Sequence, residues 1–196
     1  MKKTFWYPIV FMSLLTAIFT FVLAFLEVST ADKVAENQRY DLQTKILYVF
    51  DIPVEDTSVD AVDRLFSDKI TEDGDEFIYK EGDSIEGYAF PVAGSGLWGG
   101  IVGYVGISED YSTLLGLTFI TQSETPGLGG RIEEEEFLSQ FRNLDVADAT
   151  EGNYVVYNPS PGGNVDAIAG ATLTSKSVAN FMNVDIHKFI TERRGE

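Results

Sequence analysis

A turn of small residues, DAIAGATLTS at residues 166–175, leads from a strand-like region into the last predicted helix of the chain. Gly170 and Ala171 allow a backbone or a ligand to approach this turn closely. The start of the helix that follows supplies free backbone N–H groups and the positive end of the helix dipole. Both features suit a phosphate group.

The same turn carries three hydroxyl side chains, those of Thr172, Thr174 and Ser175. Ser and Thr are favoured N-caps, so any of the three could simply cap the last helix. From the residues alone, a cap and a ligand-binding hydroxyl are both open interpretations.

The rest of the soluble region predicts a sheet followed by a long helix. Short β-prone runs separated by Gly, Asp and Ser occupy residues 77–79, 85–92, 100–107, 114–121 and 154–157. Residues 130–141 are predicted to be helical. The last helix is predicted from about Ser175, because apolar residues recur at helical spacing after it. The pattern indicates an α+β fold with a mostly antiparallel sheet and a long C-terminal helix.

The N-terminal region predicts a single transmembrane helix. Residues 5–26 contain no charged side chain, and a bilayer span needs ~20 apolar residues. Lys2 and Lys3 precede the run, which predicts an N-terminus in the cytoplasm and a C-terminal domain on the extracytoplasmic side of the cytoplasmic (inner) membrane. A cleaved signal peptide is the alternative, but its apolar region is normally about 7–15 residues long.

Three segments are therefore predicted along the chain. Residues 1–28 form the cytoplasmic N-terminus and transmembrane helix, residues 29–73 a membrane-proximal helical segment, and residues 74–196 the sheet-containing domain. Within the middle segment, helices are predicted at residues 31–49 and 59–70, and Pro53 separates them.

Charge and composition exclude several classes of function. The net charge is −17, from 31 acidic and 14 basic residues, which argues against nucleic-acid binding because phosphate backbones are held mainly by Lys and Arg. The chain has no cysteine, so iron–sulfur clusters and disulfides are excluded. His187 is the single histidine, and a metal site built from this chain's side chains is not expected.

The stretch from Asp166 to Thr174 resembles the flavinylation motif of the FMN-binding domain family, Asp-x-x-Ser/Thr-Gly-Ala-Thr/Ser-x-Thr. In that family, a flavin transferase that uses FAD esterifies the last Thr to the FMN phosphate. The resemblance implies Thr174 as the acceptor and Asp166 as the leading acid. The supporting residues that it implies are Gly170, Ala171, Thr172, Leu173 and Ser175. Ala169 departs from the motif, since the family usually has Ser or Thr there.

Two further segments carry the same resemblance. ETPGLGG at residues 124–130 resembles the family loop beside the isoalloxazine ring, which implies a cofactor-binding role for Glu124, Thr125, Gly127 and Leu128. An ordinary Pro-Gly turn is the alternative. GLW at residues 96–98 resembles a family segment that would place Leu97 and Trp98 at the flavin. Trp98 could instead fill the core.

The resemblance implies a membrane-anchored electron-transfer subunit with covalent FMN, similar to the C subunit of the sodium-translocating NADH:quinone oxidoreductase or to the G subunit of the Rnf ferredoxin:NAD oxidoreductase. Its implied partners are a flavin transferase and the other membrane subunits of a redox-driven ion pump. Such a subunit relays electrons inside an oxidoreductase and turns over no substrate independently. The alternative is a stand-alone or assembly subunit of the same fold, which binds FMN non-covalently or not at all.

Overall fold

The computed structural model describes residues 6–195. Lys2, Lys3 and Phe5, on which part of the membrane prediction depends, lie outside the described residues. The chain divides into two compact units, Met1–Asp41 and Leu42–Glu196.

The first unit is formed by helix α1, which spans Trp6–Val49 and whose last residues belong to the second unit. From Trp6 to Thr30, every side chain is exposed except that of Leu15, which is half-buried. By length and composition, α1 is able to cross a membrane.

Helix α1 has no break between residues 26 and 31, where the sequence predicted the end of one helix and the start of another. The hydroxyls of Ser29 and Thr30 donate to the carbonyls of Phe25 and Leu26, four residues earlier. These polar side chains are therefore satisfied inside the helix and do not interrupt it.

The second unit is built on a six-stranded antiparallel sheet whose strand order follows the chain. Its strands are β1 (Ile70–Asp73), β2 (Glu76–Glu81), β3 (Ser84–Ser95), β4 (Gly100–Ser108), β5 (Thr113–Thr121) and β6 (Leu144–Asp145). The predicted α+β fold, with a long apolar N-terminal helix, an antiparallel sheet and a long C-terminal helix, is confirmed. The edge strands β1 and β6 were not predicted, because runs of four and two residues carry little periodicity.

Helix α4 (Thr172–Arg194) packs on one face of the sheet, across β3. The rings of Phe90 and Phe189 stack with their centroids 3.9 Å apart, and Gly94 leaves the space that Phe181 fills. The N–H of Ala93 donates to the Asp185 carboxylate at 2.9 Å. Together these contacts fix the position of α4 on the sheet, and with it the position of its first turn.

The other face of the sheet packs against α2 (Val59–Lys69) and the C-terminal end of α1. Neighbouring positions of a strand lie on opposite faces of the sheet, so Gly106 is on the face opposite to that of Val105. A Cβ at Gly106 or Gly116 would lie 2.5 Å from an atom of Val49. These two paired glycines therefore let the end of α1 approach the sheet closely.

The strand predicted at residues 154–157 is wrong, since the described residues there form only an isolated bridge between Tyr157 and Val165. Much of the backbone in this region pairs with side-chain amides. Asn183 bonds both the N–H and the carbonyl of Val155, each at 2.9 Å. Asn164 bonds the N–H of Val156 and the carbonyl of Tyr154. A neighbouring strand is not needed to satisfy these groups.

The helical structure predicted at residues 130–141 is confirmed, but it is divided into three short helices. The structure has a 3₁₀ helix at Gly129–Glu133, a short helix α3 at Glu135–Leu138 and a second 3₁₀ helix at Ser139–Phe141. Glu134, between the first two, has extended backbone angles (φ −74°, ψ 143°), which interrupts a continuous helix.

The boundaries of the three predicted segments remain a prediction. Strand β1 pairs with β2 along its whole length, so the sheet starts before the proposed boundary at residue 74. Helix α4 starts at Thr172, slightly earlier than the predicted Ser175.

Substitution of Gly116 by Ala tests the contact between α1 and the sheet. The new Cβ would lie 2.5 Å from the carbonyl oxygen of Val49, so we expect destabilisation of about 1–3 kcal/mol. For a chain of this length that lowers the Tm by about 2–4 °C per kcal/mol. Gly100→Ala is the matched control, because no described atom lies within 4 Å of its Cβ position. Equal melting curves for the two variants would contradict this packing.

Candidate functional site

Three segments that are distant in sequence meet beside the first turn of α4. They are the loop between β3 and β4, the loop that follows β5, and the start of α4 itself. Together they line a cleft of about 270 Å³. The lining residues are Leu97, Trp98, Glu124, Thr125, Leu128, Gly129, Gly170, Ala171, Thr172, Leu173 and Thr174.

A hydrogen bond between Thr174 and Glu124 joins two of these segments. The Thr174 hydroxyl donates to Oε2 of Glu124 at 2.5 Å. Thr174 is 1% exposed and Glu124 is 5% exposed, so this contact is shielded from bulk water. Hydrogen bonds to an ionised carboxylate are short and strong compared with neutral ones.

The β3–β4 loop holds the same carboxylate. The N–H of Trp98 donates to Oε1 of Glu124 at 2.9 Å, and the N–H groups of Leu97 and Gly99 also bond the carboxylate. Successive backbone N–H groups of this kind form an anion-binding concavity. Here the concavity is filled by the chain's own Glu124.

Two glycines make room for Glu124 and Thr174. A Cβ at Gly96 would lie 2.5 Å from Oε1 of Glu124. A Cβ at Gly129 would lie 2.6 Å from Oε2 of Glu124 and 2.6 Å from the Thr174 hydroxyl. A side chain at either position would therefore displace the carboxylate.

The environment of Glu124 lowers the pKa of its carboxyl group. Desolvation by burial raises this pKa and is the largest single effect. The hydrogen bonds from the Thr174 hydroxyl and from the loop N–H groups together outweigh it, so the net pKa lies below its ordinary value. Glu124 is consequently ionised at neutral pH.

Residues 125–128 form the tight turn that the sequence predicted. The N–H of Leu128 donates to the carbonyl of Thr125 at 3.1 Å. Gly127, the third residue of the turn, has a positive φ of 73°, and Pro126 stands at the second position. This arrangement is typical of a type II turn. It brings Thr125 and Leu128 to the cleft, while Gly127 supports the turn and does not line the cleft.

The interpretation of the three hydroxyls as helix caps is wrong. Ala171 occupies the N-cap position of α4, with no side-chain cap, and Thr172, Thr174 and Ser175 all lie inside the helix. Ser175 is buried, accepts the Ile168 N–H at 3.0 Å and donates to the Ala171 carbonyl. It stabilises the turn and does not line the cleft.

The interpretation of Trp98 as a core residue is wrong as well, because its side chain is 70% exposed. Leu97, Leu128 and Leu173 are also exposed and line the same cleft. The cleft therefore presents apolar surface around the buried Thr174 hydroxyl.

Asp166 is placed away from this cleft. Its carboxylate accepts a hydrogen bond from Nδ2 of Asn158 at 2.8 Å, and its N–H donates to the side-chain oxygen of Gln140 at 2.6 Å. These bonds hold the loop that leads into α4.

Gly96 and Gly129 shape the site but were not among the predicted site residues. Only glycine fits at these two positions because Glu124 and Thr174 approach them in the folded structure, and the sequence gives no sign of that approach.

Residues 96–186 match the FMN-binding domain family. The resemblance inferred from the sequence is confirmed. The matched region contains all three segments of the cleft, from Leu97 to Thr174.

Two relatives are similar in sequence over part of their length. The first is the C subunit of the Na(+)-translocating NADH-quinone reductase of Vibrio vulnificus, with 38% identity over 107 residues. This match covers 52% of this chain and 42% of the relative. The second is the G subunit of the ion-translocating oxidoreductase complex of Methanosarcina acetivorans, with 38% identity over 120 residues. This match covers 59% of this chain and 60% of the relative. The chain thus spans about half the length of the curated relatives it matches.

A solved structure supports the fold. The crystal structure of the C subunit of the Na(+)-translocating NADH-quinone reductase from Parabacteroides distasonis superposes with a TM-score of 0.65 at 24% identity. The match covers 80% of this chain and 92% of that chain.

The cleft fits the chemistry of FMN. The first residues of α4 have N–H groups without an intrahelical partner, which suit a phosphate. Gly129, Gly170 and Ala171 keep the space near Thr174 free of large side chains. Trp98 and the exposed leucines offer apolar surface for a flat aromatic ring.

Substitution of Thr174 by Val tests the hydrogen bond to Glu124. Valine keeps the shape of the side chain but leaves Oε2 without its donor, and we expect a loss of about 1–3 kcal/mol. Because the folded-state pKa of Glu124 lies below its ordinary value of 4.5, the stabilisation is present above about pH 4.5 and is lost as the pH falls through the folded-state pKa. The difference between wild type and variant should therefore shrink in acid.

Denaturant unfolding of both proteins at neutral and acidic pH measures this difference. Thr172→Val is the control, since Thr172 is exposed in the same helical turn. A difference for Thr174→Val that is independent of pH would show that the hydroxyl does not act through the Glu124 carboxylate.

Proposed function

We propose that this chain is a membrane-anchored electron-transfer subunit that carries FMN in phosphoester linkage to Thr174. The observation that carries the proposal is the position of the Thr174 hydroxyl, in the first turn of α4 and at the base of the cleft of a matched FMN-binding domain. A phosphate attached there lies at the positive end of the helix dipole.

The residues of the cleft have different roles toward FMN in this proposal. The first-turn N–H groups of α4 orient the phosphate, and the small residues Gly170 and Ala171 leave space for it. The ring system would find apolar surface at four exposed side chains of the cleft, those of Leu97, Trp98, Leu128 and Leu173. FMN, when bound, supplies one-electron and two-electron chemistry. The covalent link would keep the cofactor from dissociating in an open compartment.

Helix α1 is the proposed membrane anchor, because its apolar side chains from Trp6 to Val28 are exposed and would be solvated by lipid. The basic residues that precede it in the sequence favour an extracytoplasmic FMN-binding domain.

The proposed setting is a respiratory, ion-translocating NADH:quinone or ferredoxin:NAD oxidoreductase complex, with the other membrane subunits as partners. Support comes from two relatives, a subunit of a Na(+)-translocating NADH-quinone reductase and a subunit of an ion-translocating oxidoreductase complex, each 38% identical over the matched residues. Identity therefore favours neither complex. In either one the protein would pass electrons and have no substrate of its own. A flavin transferase that uses FAD would install the cofactor.

Intact-mass analysis of the denatured full-length protein tests the covalent link. Wild type, Thr174→Ala and the control Ser177→Ala, a hydroxyl residue of α4 outside the cleft, are each co-produced with a flavin transferase. We expect wild type and Ser177→Ala to carry one FMN minus one water, and Thr174→Ala to carry none, because it lacks the acceptor oxygen.

An adduct that persists in Thr174→Ala would contradict the acceptor assignment. Flavin that purifies with the folded wild type but is lost on denaturation would favour the alternative of non-covalent binding. Protein that carries no flavin in either state, despite an active transferase, would favour an assembly role for the same fold.

A further inference from the structure

The two carboxylate oxygens of Glu124 have different partners. Oε1 is held by the N–H of Trp98 at 2.9 Å, whereas Oε2 accepts the hydroxyl of Thr174 at 2.5 Å. The backbone of Gly96 approaches the first oxygen closely and that of Gly129 the second, since an added Cβ would lie 2.5 Å and 2.6 Å from them. The carboxylate therefore has little freedom to turn, and Oε2 stays directed at the Thr174 hydroxyl.

Glu124 is the group that accepts the hydrogen bond of the Thr174 hydroxyl in this structure. Thr174 is 1% exposed, so bulk water does not compete for that hydrogen bond. Among the described residues that line the cleft, Glu124 is the only charged one. A nucleophilic hydroxyl needs a base in hydrogen-bond contact, typically at about 2.6–3.2 Å. The contact between Thr174 and Glu124, at 2.5 Å, is slightly shorter than this range and has the length expected when a hydroxyl donates to a carboxylate.

We propose that Glu124 is the general base for the modification of this chain, taking the proton of Thr174 as the hydroxyl oxygen attacks phosphorus. The proposal rests on the proposed phosphoester link at Thr174. It assigns to the acceptor protein a catalytic group that would otherwise have to come from the transferase.

The step balances without any oxidant or reductant. A bond forms between Oγ1 of Thr174 and the phosphorus of the FMN half of FAD. The P–O bond of the diphosphate breaks, and AMP leaves with the electron pair of that bond. The proton of Thr174 moves to Oε2 of Glu124.

Protonation of Glu124 also suits the product. A carboxylate and a phosphodiester anion in contact would repel each other, and the anion would raise the pKa of the acid beside it. A protonated Glu124 can instead donate a hydrogen bond to a phosphodiester oxygen. The same side chain thereby accepts from Thr174 before the reaction and donates after it.

Single-turnover flavinylation of the full-length protein tests the assignment. Wild type, Glu124→Gln and the control Glu192→Gln are each mixed with saturating FAD and an excess of flavin transferase, quenched at timed intervals and analysed by intact mass. Glutamine keeps the size of the side chain but cannot take a proton. We expect Glu124→Gln to react about 10²-fold more slowly, the lower end of what general-base catalysis contributes.

Glu192→Gln should react at the wild-type rate, because Glu192 lies on the exposed side of α4 and pairs with Lys188, away from the cleft. A wild-type rate for Glu124→Gln would overturn the role of Glu124 but leave the phosphoester link intact. Absence of an adduct on wild type would instead overturn the proposed function itself.

Melting curves establish that each variant is folded at the assay temperature. If Glu124→Gln is not, Glu124→Asp replaces it, since aspartate keeps the charge but withdraws the base by one methylene. We then expect at least about tenfold slower labelling. Labelling of the Asp variant at the wild-type rate would likewise overturn the proposal.

Discussion

The hydrogen bond from Thr174 to Glu124 is the interaction on which the architecture of the site depends. It joins the first turn of α4 to the loop after β5, and the same carboxylate is bound by the N–H groups of the β3–β4 loop. One buried anion thus holds three segments in contact. A buried carboxylate is costly unless its hydrogen bonds are made, and here each oxygen has at least one donor. Loss of any one segment would leave this charge partly unsatisfied.

The sheet and α4 supply the rigid frame for that interaction. Phe181 fits against Gly94, Phe189 stacks on Phe90, and Asp185 accepts the N–H of Ala93. These contacts lie along β3, the strand that leads directly into the loop at residues 96–99. The strand that positions α4 therefore also positions the N–H groups that bind Glu124. A site built in this way on packed elements keeps its geometry with little dependence on loop flexibility.

Sequence patterns predicted the elements of the fold that have strong local signals. Four of the six strands follow from β-prone runs, the long apolar helix from its uncharged run, and α4 from apolar residues at helical spacing. Residues 154–157 were predicted as a strand because their composition is β-prone, whereas the backbone of Val155 is bonded by Asn183, 28 residues away. The tertiary partner in that case overrides local propensity.

The site was predictable as a set of segments but not as a set of contacts. The motifs at residues 96–98, 124–130 and 166–175 pointed to the segments that meet in the cleft. They did not predict that Glu124 bonds Thr174, a contact across 50 residues, or that Gly129 must be small to permit it. Composition could not distinguish an exposed Trp98 from a buried one either, since tryptophan serves in cores and at binding surfaces alike.

Phosphorus NMR of the flavin-loaded, full-length protein is the most direct test of the central claim, which is a phosphoester between FMN and Thr174. A phosphomonoester titrates with a second pKa of about 6, whereas a diester has no ionisation in that range. A phosphoester at Thr174 predicts a phosphate resonance that does not shift between about pH 5 and pH 8. A resonance that moves through that range would identify FMN as a monoester bound without a covalent link, and would contradict the claim.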